Sequence, residues 1–420
     1  MLKIKMEKIH DTAVTVPGSK SYTHRIFIAA ALSNGLCRIE NFLDSDDTNY
    51  TLSALNQFGV SFDKALDGVI INGRDGEMDA SENPIYLGNS GTSMRLLTAY
   101  AAIGNGRYLL SGSDRMHERP IHHLLDGLNQ LGVQAVSVNN NGCPPVAVIG
   151  TKLSGGTVNL NCSISSQFLS GFLLIAPYTQ NGLEIHVTQG PVSRPYIDMT
   201  LDIMSRFGVD VVRSGYDYFK IPGSQCYRSG RYVVEPDASQ ASYFWAAAAI
   251  TGHAIKVNGI SRQSSQGDVR FVDVLSEMGC QVIHETDGIT VVGGSLSAIE
   301  VDMADMPDLV PTLAVIAAFA EGITVIKNVS HLKVKESDRL SAVINELTKM
   351  GISAKSESNN LIITGGNPHG AVIETYDDHR IAMSFAVAGL RVPGIEIKNE
   401  HCVEKSFPEY WKVFDGLYVR

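Results

Sequence analysis

The feature that most constrains the fold of this chain is an internal repeat with a period of about 70 residues. Six alanine-rich apolar segments each end near a glycine, and successive glycines are 71, 76, 70, 70 and 72 residues apart. These glycines are Gly35, Gly106, Gly182, Gly252, Gly322 and Gly394. Segments that are apolar all round predict buried helices. A unit of this size cannot bury its own apolar faces, so we expect the six units to combine into larger cores.

A second series of segments is amphipathic and runs out of phase with the first. Each member closes with a glycine and a small or apolar residue, at Gly59, Gly132, Gly208, Gly279 and Gly351. A left-handed glycine commonly ends a helix and leads into a strand. Short β-branched runs such as LEIHVT and LIITGG predict strands between the helices. The sequence therefore predicts an α/β protein whose 420 residues form two domains of three units each.

Charge and composition exclude several classes of protein. The net charge of −10 disfavours binding to nucleic acid. The six cysteines are far apart and form no CxxC pair, which favours a reducing compartment. Apolar runs such as residues 313–320 are too short to cross a bilayer, and residues 1–10 do not have the pattern of a signal peptide. We therefore expect a cytoplasmic protein with neither a membrane nor a nucleic-acid partner.

All six predicted buried helices begin with polar residues. These starts are 17–21 (PGSKS), 88–92 (GNSGT), 163–167 (SISSQ), 235–239 (EPDAS), 306–308 (MPD) and 376–380 (YDDHR). The amino end of a helix carries partial positive charge and unpaired N–H groups, so small polar residues there can bind anions. Each start taken alone is ordinarily a helix cap. Their recurrence at equivalent places in repeated units favours anion binding.

Basic side chains near the starts of both helix series add to this prediction. Together they could neutralise several anionic groups of a ligand, and they are Lys20, Arg25, Arg119, Lys335, Arg339, Arg380 and Lys405. Two of the segments have structural alternatives. Residues 335–339 (KESDR) could form a solvated helical face with local ion pairs, and residues 378–380 (DHR) could form a structural network.

Ten motifs then identify a family. In chain order they are PGSKS, LGNSGTSMR, RMHERPI, SSQF, SRPYID, EPDASQASYF, MPDL, KVKESDR, DDHRIAM and EKSFPEYW. On these motifs the chain resembles the 5-enolpyruvylshikimate-3-phosphate synthases over essentially its whole length. The resemblance implies two similar domains, each of three βαβαββ units with buried alanine-rich helices. It implies an N-terminal domain of residues 18–233 and a C-terminal domain of residues 1–17 plus 234–420, with two crossovers.

The resemblance also implies a reaction. The family transfers the enolpyruvyl group of phosphoenolpyruvate to the 5-hydroxyl of shikimate 3-phosphate and releases phosphate, by addition and elimination through a tetrahedral intermediate. This step belongs to the route to chorismate and the aromatic amino acids. The family uses neither a metal nor an organic cofactor, and we expect the chain to be a monomer.

Site residues follow from the resemblance, position by position. Shikimate 3-phosphate would be bound by Lys20, Ser21, Arg25, Ser165, Ser166, Ser193, Tyr196, Asp308, His331 and Lys335. Phosphoenolpyruvate would be bound by Lys20, Asn89, Gly91, Arg119, Gln167, Arg339, Arg380 and Lys405. The implied catalytic groups are Asp308 at the attacking hydroxyl, Glu336 near the methylene carbon, and Lys20, which assists proton transfer. Which group is the acid and which the base in each half-reaction stays open.

Two positions are compared with the residues that are usual in the family. His331 stands where the family often has asparagine, so its contact with shikimate 3-phosphate is in doubt. Gly91 is retained, and only a residue without a Cβ leaves room for a phosphonate bulkier than phosphoenolpyruvate. We therefore expect glyphosate to inhibit in competition with phosphoenolpyruvate.

Two other functions remain as alternatives. The enolpyruvyl transferases that act on UDP-N-acetylglucosamine share the fold and the chemistry, but they normally carry a reactive cysteine in a loop that corresponds to residues 111–119, which contain none. A non-catalytic protein that binds phosphorylated metabolites would have no need of both Asp308 and Glu336.

Overall fold

The chain is described by a computed structural model for residues 1–65, 67–81 and 83–419. Its α-helices, numbered in chain order, are α1 (Lys20–Leu32), α2 (Asp46–Gln57), α3 (Gly91–Ala102), α4 (His122–Gln130), α5 (Gln167–Ile175), α6 (Pro195–Arg206), α7 (Ala238–Thr251), α8 (Phe271–Glu277), α9 (Val310–Ala317), α10 (Arg339–Lys349), α11 (His379–Ala388) and α12 (Tyr410–Asp415).

The strands alternate with these helices. They are β1 (Leu2–Lys3), β2 (Thr12–Val14), β3 (Leu36–Glu40), β4 (Ser61–Ala65), β5 (Gly68–Asn72), β6 (Ile85–Tyr86), β7 (Arg107–Ser111), β8 (Gln134–Ser137), β9 (Val146–Ile149), β10 (Gly156–Asn161), β11 (Leu183–Gln189), β12 (Val212–Ser214), β13 (Tyr218–Ile221), β14 (Gly230–Val233), β15 (Ala254–Asn258), β16 (Gln281–Glu285), β17 (Gly288–Val292), β18 (Glu300–Asp302), β19 (Ile323–Lys327), β20 (Ser353–Glu357), β21 (Asn360–Thr364), β22 (Val372–Ile373) and β23 (Glu396–Ile397).

The chain divides into two compact units. Unit A is Gly18–Val234, and unit B is Met1–Pro17 with Glu235–Arg420. Each unit has its own hydrophobic core. Among the residues that the structure describes, no helix is both long enough and apolar enough to span a membrane.

Unit A contains three four-stranded sheets of the same design. Their strand orders are β14-β3-β5-β4, β6-β7-β9-β8 and β10-β11-β13-β12. In each sheet the first two strands are parallel and the remaining pairs are antiparallel. A helix of the buried series joins the parallel strands in the second and third sheets, as a parallel connection requires. The α/β fold class expected from the repeats is therefore confirmed.

Unit B repeats this design twice, with orders β2-β15-β17-β16 and β18-β19-β21-β20. Its third sheet departs from the expected βαβαββ pattern, because it has three strands in the order β1-β23-β22. The chain there lacks the usual closing hairpin after β23, and β1 pairs antiparallel with β23 in its place. The sequence after β23 runs into the helical segment Glu400–Lys405 and then α12.

The first strands of two sheets come from distant parts of the chain. Strand β2 precedes unit A in sequence yet pairs in parallel with β15 of unit B. Strand β14 ends unit A and pairs in parallel with β3 near its beginning. Both crossings of the chain therefore follow directly after the first strand of a sheet.

One helix in each repeat is buried almost completely. In α1 every residue except Ser21 is buried, and in α7 burial extends without a break from Ala238 to Ile250. Alanine side chains allow the neighbouring helices and sheets to approach from all sides. The glycines that close the second helix series have φ values of 89°, 83°, 80°, 110° and 79°, so they end those helices in the left-handed region as the sequence predicted.

Gly365 lies in close contact with the backbone at the end of α9. A Cβ at this position would lie 1.8 Å from the carbonyl oxygen of Ala320, which is backbone and cannot move aside. We expect Gly365→Ala to lower the free energy of unfolding by about 2 kcal/mol. At the adjacent Gly366 the nearest atom to an added Cβ is Cδ1 of Ile352 at 3.6 Å, so Gly366→Ala should change that free energy by less than about 0.5 kcal/mol. Equilibrium unfolding in urea measures both, and equal stabilities for the two variants would contradict the packing.

Candidate active site

In unit A, the amino ends of α1, α3 and α5 carry hydroxyl side chains. Ser19 caps α1 by accepting a hydrogen bond from the Tyr22 N–H at 3.5 Å, and Ser90 caps α3 by accepting one from the Ser93 N–H at 3.5 Å. Ser166 precedes α5 and is buried. Hydroxyl caps add no negative charge, so the partial positive charge of these helix ends stays available to an anion.

Lys20, the first residue of α1, is held by a carboxylate. Its Nζ lies 3.1 Å from Oδ2 of Asp47 in the first turn of α2, and the two side chains are 11% and 4% exposed. The hydroxyl of Ser93 donates to the carbonyl oxygen of Asp47 at 3.2 Å, so this ion pair adjoins the start of α3. An ammonium group is thereby fixed between two helix amino ends.

Arg119 is fixed against the start of α3. Its Nη1 donates to the carbonyl oxygen of Asn89 at 2.9 Å and to Oδ1 of the same residue at 3.0 Å. A Cβ added to Gly91 would lie 2.4 Å from Nη2 of Arg119. Only glycine therefore lets the guanidinium group lie this close to the helix end.

Gln167, the first residue of α5, is oriented by the neighbouring helix. Nη1 of Arg95 donates to its Oε1 at 2.8 Å, and its Nε2 donates to Oγ1 of Thr92 at 2.8 Å. Its backbone N–H donates to the hydroxyl of Ser165 at 3.2 Å. These bonds join the starts of α3 and α5.

Arg25 is buried beside α6 and its donors have several partners. Nε donates to Oγ1 of Thr200 at 2.8 Å, Nη1 to the carbonyl oxygen of Ser21 at 2.9 Å, and Nη2 to the carbonyl oxygen of Tyr196 at 3.2 Å. Burial lowers the pKa of Arg25 to about 10, which leaves the side chain charged at neutral pH. Ser193 is also buried and adopts a φ of 55° just before α6.

In unit B, two guanidinium groups share one carboxylate. Asp308 accepts hydrogen bonds from Nη1 of Arg339 at 2.8 Å and from Nη2 of Arg380 at 3.0 Å. Nη2 of Arg339 also donates to Oε2 of Glu336 at 2.8 Å. Both arginines are buried, at 1% and 2% exposure. Asp308 and Glu336, the two implied catalytic carboxylates of unit B, therefore both accept hydrogen bonds from the guanidinium group of Arg339.

A third carboxylate, Asp378, anchors this cluster. It accepts from Nε of Arg339 at 2.8 Å and from the hydroxyl of Ser337 at 2.9 Å, and it caps α11 by accepting from the Arg380 N–H at 3.0 Å. On the other side, Nη1 of Arg380 donates to the hydroxyl oxygen of Tyr243 at 3.2 Å. The two arginines are therefore fixed before any ligand binds.

The charges of this cluster control the protonation of Asp308. Burial raises the pKa of Asp308, but the positive charges of Arg380 and Arg339 outweigh burial and hold that pKa below its ordinary value. Burial lowers the pKa of Arg339, whereas its three carboxylate partners raise it above the ordinary value. An anion bound to the two guanidinium groups would partly neutralise their positive charge. They would then stabilise the ionised form of Asp308 less, and the pKa of this carboxyl would rise.

The remaining predicted residues of unit B lie near this cluster or beside its helices. The positive charge of Lys335 lowers the pKa of both Asp308 and His331, so these three groups are close together. Burial, with Lys335 second, lowers the pKa of His331 to about 3, which keeps the imidazole neutral at pH 7. Lys405 ends the segment Glu400–Lys405, which packs against α11.

Comparison with known proteins agrees with the motifs. The profile of the family described as EPSP synthase (3-phosphoshikimate 1-carboxyvinyltransferase) matches residues 5–414. A 3-phosphoshikimate 1-carboxyvinyltransferase of Vibrio vulnificus (strain YJ016) is 44% identical over 412 residues, which cover 96% of this chain and 95% of the relative. One of Trichormus variabilis (strain ATCC 29413 / PCC 7937) is 41% identical over 407 residues and 96% of each chain. The chain belongs to the EPSP synthase family.

Solved structures resemble the chain over nearly its whole length. An EPSP synthase of Acinetobacter baumannii superposes with a TM-score of 0.84 at 28% identity and covers 99% of this chain and 98% of that one. The enolpyruvyl transferase NikO of Streptomyces tendae superposes with a TM-score of 0.79, covering 99% of this chain and 96% of that one. At 21% identity, the second similarity concerns the fold alone. Membership of the EPSP synthase family thus confirms the resemblance inferred from the ten motifs.

Within each unit, the structure brings most of the predicted residues together. In unit A the predicted residues lie at or beside the helix starts, and they are Lys20, Ser21, Arg25, Asn89, Gly91, Arg119, Ser165, Ser166, Gln167, Ser193 and Tyr196. The cluster of unit B contains Asp308, Lys335, Glu336, Arg339 and Arg380, with His331 beside it. In residues 1–65, 67–81 and 83–419, no group of three or more His, Cys, Asp or Glu side chains could hold a metal ion.

Several partners of these residues were not predicted from the sequence. Asp47 holds Lys20, Tyr243 holds Arg380 and Asp378 holds Arg339. Asp378 was visible within the motif DDHR, whose position at a helix start is typical of a cap. No sequence signal pointed to Asp268, which is buried and close enough to Asp308 for the two charges to interact.

Asp268 makes the stability of the protein depend on pH. Burial and the nearby charge of Asp308 raise the pKa of Asp268 to about 8, against an ordinary 3.8 in the unfolded chain. The folded protein thus keeps a proton that the unfolded chain releases above pH 4. The stabilisation from this proton is complete below pH 4 and is lost as the pH rises to about 8.

We therefore expect the free energy of unfolding to fall with a slope of up to about 1.4 kcal/mol per pH unit between pH 5 and 8 from this group alone. Asp268→Asn should flatten that slope, whereas Asp273→Asn, at a partly exposed position in α8, should leave it unchanged. Urea unfolding at pH 5, 6, 7 and 8 measures the slope. The same slope in wild type and in Asp268→Asn would rule out a protonated Asp268.

Proposed function

We propose that this chain transfers the enolpyruvyl group of phosphoenolpyruvate to the 5-hydroxyl of shikimate 3-phosphate and releases phosphate. The observation that carries the proposal is the cluster in which Arg339 joins Asp308 to Glu336 and Arg380 adds a second guanidinium group. Guanidinium groups bind carboxylate and phosphate, which are the two charged groups of phosphoenolpyruvate. Two adjoining carboxylates can move the two protons that the reaction requires.

The reaction balances with these groups alone. In the addition, a proton reaches the methylene carbon of phosphoenolpyruvate while the 5-hydroxyl oxygen bonds to the neighbouring carbon and gives up its proton. In the elimination, a proton leaves the new methyl group, the double bond re-forms, and the carbon–oxygen bond to phosphate breaks. Each half needs one proton donor and one acceptor, so at least two titratable groups must reach the reacting atoms.

The proposed roles are those that the family resemblance implies, and the contacts within each unit are compatible with them. We assign Asp308 to the 5-hydroxyl, Glu336 to the methylene carbon and Lys20 to assisting proton transfer. The low pKa of Asp308 makes it an acceptor in the unliganded protein. Its pKa would rise when phosphoenolpyruvate neutralises Arg339 and Arg380, which would help it to retain the hydroxyl proton.

Anionic groups of the substrates are assigned to helix ends and basic side chains. The shikimate 3-phosphate contacts are proposed for Lys20, Ser21, Arg25, Ser165, Ser166, Ser193, Tyr196, Asp308, His331 and Lys335. The phosphoenolpyruvate contacts are proposed for Lys20, Asn89, Gly91, Arg119, Gln167, Arg339, Arg380 and Lys405. Unit A thus supplies most contacts to shikimate 3-phosphate, and the arginine pair of unit B is part of the phosphoenolpyruvate clamp.

His331 is compatible with its assignment although the family often has asparagine there. The neutral imidazole can donate one hydrogen bond and accept another, as an amide can. Because its pKa is about 3, this role would not change across the neutral range.

Release of phosphate from phosphoenolpyruvate tests the function and the catalytic carboxylate together. The wild type should release phosphate only when shikimate 3-phosphate is present, and UDP-N-acetylglucosamine should not replace it. Asp308→Asn should lower kcat by about 10²- to 10⁴-fold because the hydroxyl loses its proton acceptor. The Kd for shikimate 3-phosphate should rise by less than about tenfold, since one hydrogen bond is altered.

Asp305→Asn is the matched control, because Asp305 lies three residues earlier, outside the helical turn Pro307–Leu309, and its ion pair is with Arg270 at 3.9 Å. Its kcat should stay within about twofold of the wild type. Activity with UDP-N-acetylglucosamine, or near-normal turnover by Asp308→Asn, would contradict the proposal.

Gly91→Ala tests the phosphoenolpyruvate contacts of unit A. The added Cβ would lie 2.4 Å from Nη2 of Arg119 and would displace the guanidinium group. We expect the KM for phosphoenolpyruvate to rise by about tenfold or more, and competitive inhibition by glyphosate to weaken further. The KM for shikimate 3-phosphate serves as the internal control and should not change. An unaltered KM for phosphoenolpyruvate would remove Gly91 and Arg119 from the clamp.

A further inference from the structure

Unit A contains a cavity at the opposite end of its buried helices. Its volume is about 590 Å³, within the range of roughly 300 to 1,000 Å³ that is usual for small-molecule sites. Its wall includes Ile103, which ends α3, and Pro177 and Tyr178, which continue α5. Because α1 has 13 residues, this end lies about 20 Å from the helix starts that carry Lys20 and Gly91.

All three repeats of unit A contribute to the cavity. The first supplies the loop that holds Asp75 and Glu77, the second supplies Lys152 and Leu153, and the third supplies Ser224, Gln225 and Cys226. Each of the three loops follows the second strand of the antiparallel hairpin of its sheet, which is β5, β9 or β13. The cavity therefore lies where the three repeats meet.

Tyr178 forms a fixed wall. Its hydroxyl donates to the carbonyl oxygen of Leu32 at the end of α1 and accepts from the Tyr227 N–H at 2.9 Å. A Cβ on Gly76 would lie 2.6 Å from Cδ1 of Tyr178, so the loop of the first repeat rests directly on the ring. A rigid aromatic face can pack against an apolar group of a ligand at little entropic cost.

The charges around the cavity favour a cation. The carboxyl end of a helix carries about half a negative charge, and α1, α3 and α5 end here. Asp75 and Glu77 add two carboxylates, and both are exposed. An ammonium group would satisfy these charges.

One cation, Lys152, lines the same cavity. Its Nζ lies 3.5 Å from Glu77, and both side chains are more than 60% exposed. An exposed pair of this kind is worth about 1 kcal/mol or less, so Lys152 can exchange it for the carboxylate of a ligand. The cavity thus offers sites for a positive and a negative group, and Ile103, Leu153 and Pro177 contribute apolar atoms to its lining.

We propose that this cavity binds an α-amino acid with a large apolar side chain. The ammonium group would face Asp75 and Glu77, the carboxylate would pair with Lys152, and the side chain would pack on Tyr178. This inference is independent of the proposed function, because none of these residues is assigned to either substrate.

Three ligands with the same phenyl group and a similar carbon chain differ in whether they carry an ammonium group, a carboxylate or both. L-phenylalanine carries both, 2-phenylethylamine carries the ammonium group alone, and 3-phenylpropanoate carries the carboxylate alone. Calorimetry should rank their affinities in that order, with each missing charge costing about threefold or more. Absence of binding by L-phenylalanine up to about 10 mM, or equal affinity for all three probes, would overturn the proposal.

Substitutions test which residue binds each charged group of the ligand. Asp75→Asn/Glu77→Gln should weaken both amines by about fivefold or more, and Lys152→Ala should weaken L-phenylalanine but not 2-phenylethylamine. Lys220→Ala, an exposed lysine of β13 outside the cavity, is the matched control and should change neither affinity. All variants should keep the wild-type kcat, which separates failure at the cavity from failure of the catalytic assignment.

Cys226 reports where the probe binds. Its free thiol is exposed at the cavity, whereas Cys143 is a partly exposed thiol that does not line it. Saturating L-phenylalanine should slow alkylation of Cys226 by iodoacetamide by about fivefold and leave Cys143 unaffected, as read from peptide masses. Binding without this selective protection would place the ligand elsewhere and overturn the proposal.

Discussion

Burial of one helix in each repeat on every side is the constraint from which the rest of this structure follows. A helix such as α7, with residues 238–250 buried, has unpaired backbone N–H and C=O groups only at its two ends. The amino ends of these helices carry the groups assigned to the reaction, and the carboxyl ends are closed by the tight loops that include Gly365. Chemistry and packing are thus separated along the helix axis, so the residues at one end can change without disturbing the core.

The arginine cluster of unit B shows how buried charge can serve both stability and chemistry. Isolated in the core, Arg339 and Arg380 would be strongly destabilising, and three carboxylates offset this cost. The carboxylates differ in exposure: Asp378 is 0% exposed, whereas Asp308 and Glu336 are 22% and 12% exposed. We infer that Asp378 keeps the guanidinium group of Arg339 in place, while the other two carboxylates remain accessible for proton transfer.

The glycine spacing allowed most of the fold to be predicted, because a left-handed residue after a helix is a local requirement of the backbone. The glycine spacing did not show that β2, before unit A, pairs with β15 of unit B, or that β14, at the end of unit A, pairs with β3. Each is a strand of three or four residues, and short apolar runs pair equally well with any sheet that has a free edge. Lys20 and Arg380 stood out in motifs, but their partners Asp47 and Tyr243 lie 27 and 137 residues away, and no sequence signal linked them to these basic residues. Only the folded structure identifies Asp47 and Tyr243 as the groups that hold Lys20 and Arg380.

The two units solve the same electrostatic problem with different residues. In unit A the helix starts carry the hydroxyls of Ser19, Ser90 and Ser166, so the helix ends themselves can attract an anion. In unit B, Asp237 and Asp378 cap α7 and α11, and these carboxylates cancel the helix charge. A unit capped in this way needs full positive charges to bind an anion. In unit B the arginine pair and Lys335 supply these charges, whereas in unit A the hydroxyl-capped helix ends act beside Lys20, Arg25 and Arg119, although both units repeat the same fold.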